Sequence, residues 1–151
     1  MASGAYQYGI MKVLDGTIDL DTTALKWFLA ASSYTYNPDH DGVDDLTEIT
    51  ATNYTGGFNG SGRKSASVAL AVDNTNNKVI VTFTDPATWT ALGGATNATI
   101  GAIVLIREIT NDAGSIPIVY LDFTDVTTNG GDFSVDMANA GANGGNLQFA
   151  V

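Results

Sequence analysis

A chain of 151 residues is long enough to bury about 68–70% of the surface its unfolded form exposes, so a core can form without covalent staples. It has no cysteine and a single histidine, His40, which excludes a disulfide framework, a thiol nucleophile and any zinc site built on cysteines or several histidines. Sixteen Asp plus Glu against six Lys plus Arg give a net charge of −10, a balance that repels nucleic-acid phosphate.

The opening "MASGAYQYGIMKVLDG" lacks the basic start and long apolar run of a signal peptide, and no stretch approaches the roughly eighteen apolar residues of a membrane span. The expectation is a soluble protein made inside a cell, with neither nucleic acid nor membrane as partner. Residues 1–151 are read as one domain, of which 1–16 form an N-terminal arm and a short helix. The helix is expected over residues 5–14, where Ile10, Val13 and Leu14 share a face counted from Tyr6, and Gly16 follows where a helix can end with φ > 0.

The remainder reads as mainly β, because β-branched residues abound and turn clusters recur at short spacing. Residues 24–31 alternate Leu25, Trp27 and Leu29 with Lys26, Phe28 and Ala30, so both faces carry bulk and the strand is expected to be buried or at an interface. "SVALAVDNTNNKVIVTF" predicts a hairpin, with Val68, Leu70 and Val72 before the turn and Val79, Val81 and Phe83 after it. Residues 100–106 are almost continuously apolar and predict a central strand. In "IPIVYLDF", Val119, Leu121 and Phe123 point inward, with Pro117 near the start where a missing N–H does least damage.

At the end of the chain, "DFSVDM" and "NLQFAV" alternate cleanly, with Phe133, Val135 and Met137, then Leu147, Phe149 and Val151, on the apolar side. They are expected to pair as a hairpin across the glycine-rich "ANAGANGGN". The architecture predicted is a β-sandwich or jelly-roll-like domain of seven or eight strands. Its core includes Leu25, Leu29, Val68, Leu70, Val72, Val81, Val104, Leu121 and Phe133.

Residues 37–48, "NPDHDGVDDLTE", place Asn37, Asp39, Asp41, Gly42 and Glu48 on the calcium-loop template D-x-[DN]-x-[DN]-G-x5-E. An EF-hand also needs a helix on each side of the loop, and the segment before Asn37 is β-patterned. The expectation is a polar loop running into a short helical turn with Asp44 or Asp45 as N-cap. Weak calcium binding through Asp39, Asp41, Asp45 and Glu48 is the less favoured alternative. His40, between Asp39 and Asp41, is read as a solvated loop residue.

"YTGGFNGSGRKS" at 54–65 misses the spacing of a phosphate-binding loop. It carries the only basic cluster, Arg63-Lys64, read as a solvated loop tip or a docking point for an acidic partner. Trp27 is assigned to the core, whereas Trp89 suits either the core or a sugar-stacking platform. No nucleophile elbow or metal motif is present, so no enzymatic activity and no cofactor are expected.

The motifs "LDGTIDLDTT", "YNPDHD", "YTGG", "TWT" and "PIVYLDF" occur in an order and spacing that resemble a family of small phage virion structural proteins. The likeness spans about the whole chain and rests on Gly16 to Thr22, Tyr36 to Asp41, Tyr54 to Gly57, Thr88 to Thr90 and Pro117 to Phe123. Thr124 stands where the family pattern has glycine, and the terminal glycine-rich segment is looser than that pattern.

The resemblance implies a non-catalytic virion protein, first of all a capsid decoration or cement protein on the capsid exterior, made in the host cytoplasm. A tail, fibre or baseplate component is second, and an adhesin binding sugar or calcium is an alternative of another class. The implied partners are copies of itself, as a homo-oligomer and first of all a trimer, and the major capsid protein or another virion protein. Tyr6, Tyr8, Ile10, Arg63, Lys64 and Trp89 are the candidate interface residues.

Overall fold

The computed structural model describes residues 3–138 and the backbone course of 147–150. Its elements are β1 (Gly4–Ala5), α1 (Gln7–Leu14), β2 (Leu25–Ala31), β3 (Lys64–Ala66), β4 (Val68–Asp73), β5 (Lys78–Phe83), β6 (Trp89–Leu92), β7 (Thr99–Arg107), β8 (Ile116–Thr127), β9 (Gly131–Phe133) and β10 (Leu147–Ala150). All pairings are antiparallel. They form a five-stranded sheet in the order β1-β8-β7-β2-β3, a three-stranded sheet β10-β5-β4 and a two-stranded sheet β6-β9. The mainly β expectation with one short helix holds. The surplus over the seven or eight strands expected is met by β1, β3 and β9, each two or three residues long.

The continuous apolar run of β7 is explained by its place at the centre of the large sheet, between β2 and β8. Trp27, Leu29, Ile103, Leu105, Val119 and Leu121 face one side, where they join Val81 and Phe83 of β5 and Trp89 and Leu92 of β6 in one cluster. Trp27 meets Phe83 edge to face at 5.3 Å between ring centroids, which ties the five-stranded sheet to the three-stranded one. Phe28, Ala30, Ala102, Val104, Ile106 and Tyr120 face the other side, where Tyr6, Tyr34, Val43 and Leu46 cover them. The bulk on both faces of 24–31 and 116–123 is therefore covered from within the chain, by β5 and β6 on one side and by Tyr6, Tyr34, Val43 and Leu46 on the other, with Phe123 partly buried. It leaves no apolar sheet face open for a partner there.

Residues 5 and 6 are not helical. Gly4 and Ala5 pair with Tyr120 and Val119, and the Tyr6 N–H donates to the Ile118 carbonyl, so the large sheet claims the backbone before the helix begins at Gln7. Gly9 then lets α1 lie against β8, since a Cβ there would run into the Pro117 carbonyl. Gly16 ends the helix at φ +79°, as its position predicts. Pro117 sits beside a register shift in the β7–β8 pairing, the kind of irregularity that accommodates a residue without an N–H.

The terminal strands do not pair with each other. β9 pairs with β6, Phe133 opposite Trp89, and β10 pairs with β5, Gln148 opposite Ile80. Alternation of apolar residues fixed which side of 133–137 faces inward, and Val135 and Met137 are buried. It carries no information on the partner strand. The glycine-rich connection 139–146, Val151, and the side chains of Leu147 and Phe149 lie outside the described residues.

The β4–β5 hairpin forms in the register its sequence suggests, Leu70 opposite Val81 and Val72 opposite Val79. The core assignment along it holds only in part. Leu25, Leu29, Val81, Val104 and Leu121 are buried, and Val68 and Phe133 are partly buried against the core. Leu70 and Val72 are 48% and 71% exposed, on a strand that forms the edge of its sheet.

Candidate functional site

Of the polar residues singled out by sequence, Glu48 and Arg63 come together, and Glu108 and Asp112 join them at the Arg63 side chain. Glu48 is held beside β2 by an isolated bridge to Ala30, Glu108 follows β7 directly, and Asp112 lies in the β7–β8 connection. The guanidinium, 1% exposed, reaches all three carboxylates. Nη2 donates to Glu48 Oε2 at 2.7 Å, and Nη1 donates to Glu108 Oε1 at 2.9 Å and Asp112 Oδ1 at 2.8 Å.

Glu48 also accepts from the Tyr54 hydroxyl at 2.7 Å and the Gly57 N–H at 2.8 Å. Glu108 accepts from the Asn59 N–H at 3.0 Å and lies 3.6 Å from Lys26 Nζ. Burial alone would lower the Arg63 pKa, yet its hydrogen bonds to Glu48, Asp112 and Glu108 hold it above the ordinary arginine value. Burial and the Glu48 charge push the Tyr54 phenol well up.

This arrangement is a latch, not a docking point. Its donors are aimed at protein carboxylates and its charge is offset on the spot, so Arg63 has little to offer a ligand. The reading of Arg63-Lys64 as a solvated tip is corrected for Arg63, which is buried, while Lys64 is half-buried with its ammonium 6.0 Å from the Trp89 ring centroid. Glu108 and Asp112 were not singled out by sequence, and Tyr54 entered only through the YTGG motif. Positions 54, 63, 108 and 112 share no spacing that a linear pattern would reveal.

The latch also decides the geometry of the acidic loop. Glu48, the last residue of the calcium template, is turned to Arg63, while Asp39 at the other end is exposed and accepts from Gln7 Nε2 at 2.8 Å. Asp41, Asp44 and Asp45 are exposed. Among the described residues no group of three or more His, Asp or Glu side chains is arranged to hold a metal ion. The short turn is a 3-10 turn over Val43–Asp45 with Gly42, not Asp44 or Asp45, at its N-cap. It starts earlier than the charge pattern suggests because Val43 and Leu46 must reach the tyrosine side of the large sheet.

His40 is not solvated on all sides either. Its Nδ1 lies 3.0 Å from the Tyr34 hydroxyl, which in turn lies 3.1 Å from the Tyr6 hydroxyl. Tyr36 stacks on Tyr120 at 5.1 Å and donates to the Ala5 carbonyl at 2.7 Å. Burial raises the phenols of Tyr6, Tyr34 and Tyr36 above the usual tyrosine value and moves Tyr120 up to about 12. The Tyr120 hydroxyl has no hydrogen-bond partner among the described residues. These rings fasten the acidic loop and the N-terminal segment to the sheet.

An open cleft of about 460 Å³ is bordered by Asn53, Thr55, Ser61, Lys64 and Thr90. Trp89 contributes to it yet is only 2% exposed, its Nε1 donating to the Gly62 carbonyl at 2.6 Å. Buried to that degree, it presents no ring face on which a sugar can stack. Trp27 is in the core, as expected. Of the other interface candidates, Tyr6 is fully buried, Ile10 is half-buried against the core, and Tyr8 is exposed.

No family model, curated protein or solved structure is significantly similar to this chain.

Proposed function

We propose that the protein is a non-catalytic structural component of a phage virion, a decoration or cement protein attached to the capsid exterior with the major capsid protein beneath it. The observation that carries this reading is where the motif residues of the resemblance fall in the fold. Tyr36 stacks on Tyr120, Tyr54 and Gly57 bind the Glu48 carboxylate, and Trp89 closes on the Gly62 carbonyl. Each fastens a loop in place within the fold. Motif residues placed in this way serve the shape of the fold, which suits a part built into a particle. The acidic surface keeps free copies apart before attachment.

The test is quantitative mass spectrometry of purified particles, combined with imaging of labelled particles. A copy number comparable to that of the major capsid protein, with label over the head, is the expected result. Label confined to the tail supports a tail component instead, and absence from particles overturns the virion reading.

A further inference from the structure

We propose that the outer edge of β4 is a two-fold interface at which a second copy of this chain adds its own β4 antiparallel, joining two three-stranded sheets into one. The exposed edge reads Val68-Ala69-Leu70-Ala71-Val72, the same in both directions about Leu70. A two-fold interface requires each residue i that meets j to have a j that meets i. A palindromic strand satisfies this with itself: Leu70 faces Leu70 of the second copy, Val68 faces Val72, and Ala69 faces Ala71.

The backbone agrees with that register. Thr84 N–H donates to the Ser67 carbonyl, so in the alternation of an antiparallel pair Ser67, Ala69 and Ala71 turn their polar groups toward β5. Val68, Leu70 and Val72 turn theirs to the free edge. In the palindromic register these are the residues placed opposite one another, so each pair exchanges both of its hydrogen bonds. A shift by one residue would set outward-facing groups against inward-facing ones.

The surroundings favour a copy of the same chain over another partner. Residues 65–72 carry no charge in a chain of net charge −10, so this is a place where two copies approach without setting carboxylate against carboxylate. Asp73 falls opposite Ser67, not opposite another acid. Natural edge strands are blunted with lysine, proline or a bulge, and β4 has none of these. Leu70 and Val72 stand exposed, and Leu70 borders a shallow depression of about 280 Å³ with Val13, Ile18 and Leu20, so pairing covers apolar surface as well as backbone.

The trimer expected from sequence rested on apolar sheet faces that the chain covers itself, whereas the β4 edge reads the same in both directions. This inference does not depend on the virion reading, since its test uses the isolated chain. Light scattering with sedimentation should give twice the chain mass, falling to the chain mass for L70E, which places two carboxylates face to face at the axis. A Leu70→Cys variant, in a protein otherwise free of cysteine, should oxidise to a covalent dimer, because the paired Cα atoms at the axis lie within disulfide reach. Val72→Cys, which faces Val68, should cross-link at least about tenfold more slowly. A chain that stays monomeric up to ~1 mM, an assembly that survives L70E, or equal cross-linking at the two positions overturns the proposal.

Discussion

Arg63 and Glu48 meet side-on: Nε lies 3.1 and 3.3 Å from the two carboxylate oxygens, and Nη2 lies 2.7 Å from one of them. Removing the guanidinium leaves Glu48, Glu108 and Asp112 gathered with the half-buried Lys26, 3.6 Å from Glu108, in place of a central counter-charge. Arg63→Met should therefore cost about 3–5 kcal/mol in urea unfolding. Arg63→Lys should recover only part of it, because an ammonium cannot span three carboxylates in a planar fork.

Val104 is fully buried between β2 and β8, opposite Phe28 and Tyr120. Val104→Thr keeps the shape and adds a hydroxyl in an apolar setting, for an expected loss of about 1–3 kcal/mol. Leu14, 77% exposed at the end of α1, is the control. Leu14→Thr should change the unfolding free energy by no more than about 0.5 kcal/mol, and equal losses at the two sites would contradict the burial pattern.

Tyr120 couples stability to alkaline pH. Its folded pKa of about 12 lies above the ordinary tyrosine value of 10.0 through burial first and the Asp122 charge second. The unfolded state therefore gives up this proton first. The contribution is complete below about pH 10 and is lost as pH rises toward 12. Tyr120→Phe should flatten this alkaline decline in denaturant melts. At neutral pH it should stabilise the fold by about 1 kcal/mol, since it deletes a buried hydroxyl without a described partner.

Calcium should leave the melting temperature unchanged, and calorimetric titration should show no heat above dilution. Glu48 is committed to Arg63, and Asp39 to Gln7. A micromolar or tighter dissociation constant, abolished by Asp41→Ala, would mean that the loop abandons the latch to bind the ion.

The strands were legible where burial is dictated locally, and the site was not. β2, β5, β7 and β8 announce themselves through apolar residues at strand spacing, and the Gly16 stop of α1 through its position. Leu70 and Val72 carry the same pattern as Val81 yet are exposed, because periodicity gives the phase of a strand and not what lies across from it. Residues 5 and 6 could not be separated from the helix, since their partners, Val119 and Ile118, are more than a hundred positions away. Arg63 looked like a surface charge for the same reason. Its three carboxylates come from the bridge beside β2 and from the far end of β7, and only the folded sheet brings them within reach.

The strand order also sets a schedule for synthesis. β2 emerges early but finds its long neighbour only when β7 appears some seventy residues later, and until then β3 is its one sheet partner. During that interval the β7 side of Trp27, Phe28 and Leu29 is unpaired, so a ribosome paused before residue 99 holds a nascent chain inclined to stick to its neighbours. For this chain, slow codons are tolerable after β8 and hazardous between β3 and β7.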